Sequence, residues 1–258
     1  MSPRETHIEV RDLTMAYGSR VIQRDLSFDV HRGDVFIIMG GSGCGKSTLL
    51  KHMIGLFPPA AGDILFEGVS FQQADDEARF RMRRSWGITY QTGGLFSAMT
   101  LAQNVGLPLQ QYTDLSPAEI EDVVAYKLAL VGLGGYQDYY PSEISGGMQK
   151  RAGLARAIAL DPEILFFDEP SAGLDPISSQ LLDELILQMQ ESLGATVVIV
   201  THELASIFAI ANNSVFLDAE TRTMIDYGDP RILREHSAQE KVRRFLCRGA
   251  PEPAGTRV

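Results

Sequence analysis

The sequence is poor in cysteine, has no long hydrophobic run and carries fewer basic than acidic residues. Two cysteines in 258 residues, Cys44 and Cys247, are too few for a disulfide scaffold. No apolar run reaches the roughly 18 residues needed to cross a bilayer, and no secretory signal pattern opens the chain. The net charge of −10, from 33 acidic and 23 basic residues, argues against a nucleic-acid-binding surface. These absences indicate a cytosolic protein that does not bind nucleic acid.

A glycine-rich stretch at residues 40–48, here called the phosphate loop, organises the rest of the chain. It lies between the apolar run Val35–Met39 and a segment with apolar residues at helical spacing. Between a strand and a helix, such a loop directs backbone N–H groups and the helix dipole toward a phosphate. Lys46 can reach the β- and γ-phosphates of a nucleotide, and the Ser47 hydroxyl can ligate Mg²⁺. The pattern predicts a nucleoside triphosphate site formed by Gly40, Gly41, Ser42, Gly43, Cys44, Gly45, Lys46, Ser47 and Thr48.

The segment before the phosphate loop has the pattern of an antiparallel β layer. Residues 6–30 alternate apolar and polar side chains around a turn at residues 17–20. Tyr17 closes the first of these strands, where an aromatic ring could stack on adenine. A single tyrosine at a strand end is usually half-buried packing, so only the phosphate loop downstream favours stacking.

Polar residues follow several strand-like segments. Gln91, Glu169 and His202 each stand directly beyond an apolar run, and Asp168 precedes Glu169. Ligands bind at the carboxyl ends of parallel strands, which read as continuous apolar runs. Asp168 can hold Mg²⁺ and Glu169 can polarise a water. Gln91 alone is unremarkable, whereas His202 is a candidate to contact the γ-phosphate.

Residues 92–159 have the pattern of a helical insertion between strands. Apolar residues there switch to helical spacing, and Ser116-Pro117-x-Glu119 is a helix start. Ser145, Gly146 and Gly147 open another helix, whose free N–H groups can bind an anion. An ordinary capped helix start explains the Ser-Gly-Gly sequence equally well.

The composition favours one large domain with additions. With 45% hydrophobic and 22% charged residues, the chain can form a substantial core. We expect a nucleotide-binding core with the β layer at 1–91 and 160–230, a helical subdomain at 92–159 and an extension at 231–258. The extension places Val242, Phe245 and Leu246 on one helical stripe, which could dock on a partner, touch anionic lipid or, more simply, pack on its own domain. Residues from Pro251 onward have the composition of a disordered end.

Six motifs in this order resemble the nucleotide-binding subunit of an ATP-binding cassette (ABC) transporter. They are the phosphate loop, Gln91, Ser145–Gly147, Asp168–Glu169, the Ser171–Asp175 loop and His202. The resemblance implies an α/β fold: a P-loop NTPase (RecA-like) core, an antiparallel β layer, an inserted α-helical subdomain and a C-terminal helical extension. It also implies ATP and Mg²⁺ as ligands, and ATP hydrolysis coupled to transport.

The resemblance assigns the nucleotide-binding residues. Such subunits form head-to-tail homodimers, in which each ATP lies between one chain's phosphate loop and the partner's Ser145, Gly146 and Gly147. Tyr17 would stack on adenine, and the segment Lys46–Thr48 would hold the phosphates and Mg²⁺.

The resemblance also assigns the catalytic and metal-binding residues. Asp168 would support Mg²⁺, and Glu169 would activate the attacking water. His202 would align the γ-phosphate, and Lys46 would stabilise its developing charge. Gln91 would contact the metal and report its occupancy to the membrane partner.

Short stretches narrow the resemblance to the ATPase of MCE-type (Mla-like) phospholipid transporters. They are Ser145–Arg151, Tyr90–Phe96 and Arg243–Leu246. This implies a peripheral protein on the cytoplasmic face of the bacterial inner membrane, with membrane permease subunits, an MCE-domain protein and often a STAS-domain subunit. The C-terminal extension would reach toward the neighbouring ATPase subunit, so we expect deletion of residues 238–258 to weaken assembly more than nucleotide affinity.

Two alternatives to a lipid transporter stay open. One is an importer for a small solute, with the same ATPase chemistry. The other is a soluble ABC-type ATPase acting on DNA or ribosomes, which the single cassette and the net charge of −10 disfavour. Ile144, Met148 and Lys150 stand where Leu, Gln and Gln are usual in the family. Because Ser145 and both glycines are present, we expect activity to be retained.

Overall fold

The chain folds into two β-sheets and a set of helices. The computed structural model describes residues 4–247. Within that range the strands are β1 (Thr6–Tyr17), β2 (Arg20–His31), β3 (Val35–Gly40), β4 (Ala61–Phe66), β5 (Val69–Ser70), β6 (Trp86–Thr89), β7 (Ile164–Asp168), β8 (Thr196–Val200), β9 (Asn213–Asp218) and β10 (Thr223–Tyr227). The helices are α1 (Lys46–Met53), α2 (Asp76–Arg84), α3 (Leu101–Tyr112), α4 (Pro117–Leu130), α5 (Gly146–Ala157), α6 (Pro176–Leu193), α7 (Leu204–Ile210), α8 (Pro230–His236) and α9 (Glu240–Leu246), with a 3-10 turn at Pro141–Glu143.

The order of the strands brings distant segments to one edge. The larger sheet has the order β10-β9-β3-β8-β7-β6 and is parallel except for β10. The smaller sheet, β2-β1-β4-β5, is antiparallel throughout. This is the predicted α/β architecture with an antiparallel β layer. Because β3, β7 and β8 are parallel neighbours, the segments that follow them lie together at their carboxyl ends.

Strand β3 separates two hydrophobic cores. Its side chains alternate between the faces of the sheet, as the two-residue period of a strand requires. Phe36 and Ile38 join the core shared with the antiparallel layer and α1. Ile37 and Met39 join the core shared with the helices. Each fully buried side chain of this size contributes roughly 1.5–3 kcal/mol, so the central strand is a rigid support for the phosphate loop.

The inserted segment is helical, with helix starts that the sequence indicates. Ser116 caps α4 and forms a reciprocal capping box with Glu119, as the Ser-Pro-x-Glu pattern predicts. Thr100 and Gln103 form a second capping box at α3. The helices α3, α4 and α5 pack on the parallel sheet through the same core as Ile37. The predicted domain boundaries themselves stay a prediction.

The C-terminal extension packs on its own chain within the described residues. Val242 and Leu246 of α9 are buried, and Phe245 packs against the same core. The simplest of the three explanations for the apolar stripe therefore accounts for its burial in this chain. The predicted disorder from Pro251 onward lies outside the described residues.

Candidate nucleotide-binding site

Two glycines of the phosphate loop have a steric reason to be glycine. The loop leaves β3 at Gly40, whose φ is 149°, and a Cβ there would lie 2.3 Å from the carbonyl oxygen of Leu217. At Gly45, with φ of 100°, a Cβ would lie 2.8 Å from Cγ2 of Ile22. Both the backbone angle and the close approach therefore disfavour any side chain. These contacts press the loop against β9 and β2.

The phosphate loop forms one wall of a cavity of about 650 Å³. Gln91, Glu169 and His202, predicted from three strand ends, line the same cavity. The parallel sheet explains this convergence, because β6, β7 and β8 end at one edge. The remaining lining residues are Ile22, Gly40, Gly41, Ser42, Gly43, Gly45, Lys46, Ser47, Thr48 and Phe245.

Lys46 carries a nearly buried positive charge at this cavity. Its side chain is 9% exposed, and Nζ donates to the carbonyl oxygens of Gly40 at 3.1 Å and Gly41 at 3.0 Å. These neutral partners hold the ammonium in place but do not neutralise it. An anionic ligand would do so, since charge-assisted hydrogen bonds are about twice as strong as neutral ones.

Ser47 and Asp168 bring two oxygen ligands together. The Ser47 hydroxyl donates to Oδ1 of Asp168 at 2.8 Å, linking the start of α1 to the end of β7. A hydroxyl and a carboxylate are hard oxygen donors of the kind that Mg²⁺ prefers. The residues present therefore fit a Mg²⁺ site, with the Gln91 amide on the same cavity.

Glu169 and His202 form a hydrogen-bonded pair over the cavity. His202 Nδ1 donates to Oε1 of Glu169 at 2.8 Å, while Oε2 is buried and has no hydrogen-bond partner among the described residues. Glu169 is 14% exposed on its side chain and His202 62%. The φ of Glu169 is 50°, a conformation that L-residues rarely adopt, so β7 ends at Asp168 and the Glu169 side chain turns into the cavity. The pair therefore places an accessible imidazole beside a mostly buried carboxylate that has one unpartnered oxygen.

Other predicted site residues do not line this cavity. Tyr17 is 48% exposed, and its ring packs edge-on against Phe57 with centroids 5.8 Å apart. The Cys44 side chain is buried in the core beside Gly40, and burial raises the pKa of its thiol. The side chain of Cys44 is thus a packing residue, and only its backbone belongs to the loop. Stacking of Tyr17 on adenine stays a prediction.

The segment Ser145–Gly147 lies away from the cavity of its own chain. Ser145 caps α5, and its Oγ accepts from the Met148 N–H at 3.3 Å. Ser145 and Gly146 are exposed. The capped helix start is therefore present, and contact of this segment with a nucleotide bound by a second chain stays a prediction.

Lys150 has a contact that the sequence did not indicate. Its Nζ donates to the carbonyl oxygen of Ala172, in the loop between Glu169 and α6. Burial lowers the pKa of Lys150, although the carboxylates of Glu203 and Glu169 oppose that effect. This residue, unusual for the family, ties the helix that begins at Ser145 to the loop after Glu169.

One buried carboxyl next to the His202 segment gives a pH prediction. Burial raises the pKa of Asp183 from 3.8 to about 6, the nearby Ser206 hydroxyl opposes the shift and the Glu203 charge adds to it. Because the pKa of this carboxyl is higher in the folded protein, the group stabilises the fold fully at pH values below its ordinary pKa. This contribution is lost as the pH rises through about 6. We expect Asp183→Asn to exceed wild type in unfolding free energy by roughly 2 kcal/mol near pH 8 and to match it near pH 4. Urea unfolding at both pH values checks this, and a difference independent of pH would contradict it.

Comparison with known proteins identifies the family. The family model described as ABC transporter matches residues 23–172. The chain belongs to the ABC transporter family. As a member of this family it is an ATP-binding protein whose ATP hydrolysis is coupled to transport. The predicted ATPase activity and ABC resemblance are confirmed.

Curated relatives within the ABC transporter family are similar over most of the chain. The probable ribonucleotide transport ATP-binding protein mkl of Mycobacterium leprae is 40% identical over 244 residues, which cover 95% of this chain and 70% of that protein. The intermembrane phospholipid transport system ATP-binding protein MlaF of Haemophilus influenzae is 38% identical over 239 residues, 93% of this chain and 89% of that protein. The predicted resemblance to Mla-type ATPases is thereby confirmed.

Solved ABC structures share the fold. The chain of cbiO1 from Clostridium perfringens, part of the ABC transporter complex cbiONQ, superposes with a TM-score of 0.81 and 28% identity, covering 96% of both chains. The ATP-binding cassette MJ0796, a dimer in a post-hydrolysis state with ADP and Pi, superposes with a TM-score of 0.76 and 26% identity, covering 86% of this chain and 98% of that one. The predicted P-loop NTPase fold class is confirmed. Between residues 4 and 247, no helix has the length and apolar character to span a bilayer.

Proposed function

We propose that this protein is the ATPase subunit of a bacterial inner-membrane transporter that moves phospholipid between membranes. The observation that carries the ATPase part is the single cavity that combines the phosphate loop with Gln91, Glu169 and His202. The phospholipid part rests on similarity to MlaF, whose name states that cargo, over 93% of this chain.

The phosphate loop and its neighbours would bind ATP with Mg²⁺. Backbone N–H groups of the loop and the dipole of α1 favour the phosphates. Lys46 would shift its donors from the loop carbonyls toward the β- and γ-phosphate oxygens. Ser47, Asp168 and Gln91 would hold Mg²⁺, which supplies charge neutralisation at the phosphates when bound. Tyr17 would stack on adenine.

Glu169 and His202 would carry the hydrolytic step. The Glu169 carboxylate, which lines the cavity, would accept a proton from water, whose oxygen attacks the γ-phosphorus as the bond to the bridging oxygen of ADP breaks. His202 is hydrogen-bonded through Nδ1 to Oε1 of Glu169, and in the imidazolium form, which carries an N–H on both ring nitrogens, it would donate from Nε2 to a γ-phosphate oxygen. Lys46 would stabilise the charge that develops there.

A head-to-tail homodimer would complete each site. ABC cassettes dimerise, as the MJ0796 structure does. The exposed Ser145 and Gly146 at the N-terminus of α5 would contact the γ-phosphate bound by the other chain. ATP binding would favour the closed dimer, and hydrolysis would reopen it.

An exposed aromatic pair is the surface we assign to the permease. Phe80 on α2 and Tyr112 on α3 lie with ring centroids 5.7 Å apart, beside a cavity of about 310 Å³ that Arg83 and Arg84 also line. The surface adjoins β6, the strand that leads to Gln91. A permease helix seated there would be coupled to the nucleotide site through that strand.

We expect Phe80→Asp to reduce recovery of the permease at least about 10-fold, because a desolvated charge in an apolar contact is costly. Tyr126→Asp on α4, a similarly exposed aromatic, is the matched control and should leave recovery unchanged. Pull-down of the tagged protein from membranes measures both. Equal recovery for the two variants would place the permease elsewhere, and ATPase activity of the isolated proteins should not differ.

The cargo proposal is tested by what accompanies the protein. Gentle extraction from native membranes should recover a permease, an MCE-domain protein and phospholipid, with a STAS-domain subunit as a further component of a peripheral complex on the cytoplasmic face. A permease with a solute-binding protein would instead favour the second candidate, a ribonucleotide or other solute transporter, which the mkl name supports. Absence of any membrane protein would overturn both.

A further inference from the structure

The C-terminal helix α9 reaches the nucleotide cavity. Phe245 lines the cavity together with the phosphate loop, although more than 190 residues separate them in the chain. Its ring packs edge-on against Phe216 of β9, with centroids 5.2 Å apart and an interplanar angle of 82°. Val242 and Leu246, on the same helix, are fully buried. The position of Phe245 is therefore set by the core and not by a loose tail.

An ion pair fixes the other side of α9. Lys241 pairs with the buried carboxylate of Asp218 and, at 3.2 Å, with Glu220. Asp218 Oδ2 also accepts from the N–H and the hydroxyl of Thr221, at 2.9 and 3.0 Å. Although burial opposes the shift, the Lys241 ammonium and the hydrogen bonds from Thr221 lower the pKa of Asp218 to about 2. Asp218 is therefore charged throughout the physiological range and holds Lys241 there.

The same strand end holds the phosphate loop. Gln23 is fully buried, and its Nε2 donates to the backbone oxygen of Asp218 at 2.9 Å and to that of Cys44 at 2.6 Å. One residue earlier, the carbonyl of Leu217 closely approaches the Cα of Gly40. The side chain of Asp218 therefore contacts Lys241 of α9. Its backbone oxygen accepts a hydrogen bond from Gln23, which also holds the phosphate loop at Cys44. The contacts form a continuous path from Lys241 to the phosphate loop.

We propose that α9 is part of the nucleotide site: Phe245 contacts the bound nucleotide as an apolar wall, and Lys241 is a positioning residue for the phosphate loop. The proposal rests on the proposed function, which makes this cavity the ATP site. The apolar ring excludes water from one side of the phosphates, which strengthens the charge interactions inside. A partner that lifted α9 from β9 would lower the ATP affinity, so the extension can report assembly to the site. This adds a nucleotide-binding role to the assembly role expected for residues 238–258.

The test compares ATP binding by the full-length protein and four variants. Equilibrium titration with ATP in EDTA prevents hydrolysis, and thermal melting with and without ATP is recorded for each. Phe245→Ala and Lys241→Met should raise the ATP Kd about 5-fold to 10-fold and reduce the ATP-induced rise in Tm. Lys241→Arg, which keeps the ion pair, should stay within about 2-fold of wild type. Arg244→Ala, on the exposed face of α9, is the matched control and should not change the Kd.

Each outcome decides the proposal. A merely structural α9 would lower the Tm of the free and ATP-bound proteins equally and leave the ATP-induced rise unchanged, which would overturn it. If Phe245→Ala fails to fold, Lys241→Met still decides, because an exposed lysine is not needed to form the core. An unchanged Kd in Lys241→Met would then exclude the positioning role. Failure of the wild-type protein to bind ATP would instead contradict the proposed function.

Discussion

Replacing Glu169 by Gln is expected to lower the steady-state ATPase rate at least about 100-fold while ATP binding survives. Glutamine keeps the shape of the side chain and can keep the hydrogen bond with His202, but it cannot accept the proton of the attacking water. Because hydrolysis no longer reopens the dimer, the closed ATP-bound form should accumulate.

Phosphate release at saturating ATP measures the rate, and size-exclusion chromatography with ATP and Mg²⁺ measures the dimer. Glu163→Gln is the matched control, because this exposed glutamate precedes β7 just as Glu169 follows it. The control should hydrolyse ATP at close to the wild-type rate. A rate for Glu169→Gln near that of wild type would show that Glu169 is not the general base.

Replacing Lys46 by Ala is expected to raise the ATP Kd at least about 100-fold. The ammonium is nearly buried and directed by two loop carbonyls, so the phosphates would receive charge-assisted hydrogen bonds from a donor that is already in place. Its removal also leaves the carbonyls of Gly40 and Gly41 without that donor, so some loss of loop order should accompany the loss of affinity.

Titration with ATP in EDTA measures the Kd, as for the α9 variants. Lys51→Ala is the matched control, since Lys51 lies in the last turn of the same helix, where it adds a charge but does not line the cavity. We expect its Kd to stay within about 2-fold of wild type. Comparable losses for both lysines would mean that the effect is one of general charge and not of the site.

The residues around the cavity could be named from the sequence because each carries its own local signal. The Gly-rich loop between a strand and a helix, the paired carboxylates after an apolar run and a capping pattern such as Ser116–Glu119 each depend on short-range geometry. The alternation of residues 6–30 predicted the antiparallel layer for the same reason, since the period of a strand is visible in any window. Family resemblance, carried by the order of such signals, added the ABC assignment that the family model confirms.

The position of Phe245 depends on contacts between distant segments and has no local signal. An amphipathic stripe shows that one face of α9 is buried but not what covers it, and Phe216 could not be identified as its neighbour before β9 was placed beside β3. The same holds for Lys150 and Ala172, which belong to different elements. The backbone turn at Glu169 is also a tertiary result, because a φ of 50° is uncommon for a non-glycine residue and no local pattern indicates it.

The sequence by itself determined the phosphate loop and the candidate catalytic residues through local patterns, and the fold class through the family resemblance that the order of those patterns carries. Only the tertiary structure decided that Gln91, Glu169 and His202 share one cavity and that the C-terminal helix closes part of it. The physical reason is the parallel sheet, whose strand order brings together segments that no sequence window contains.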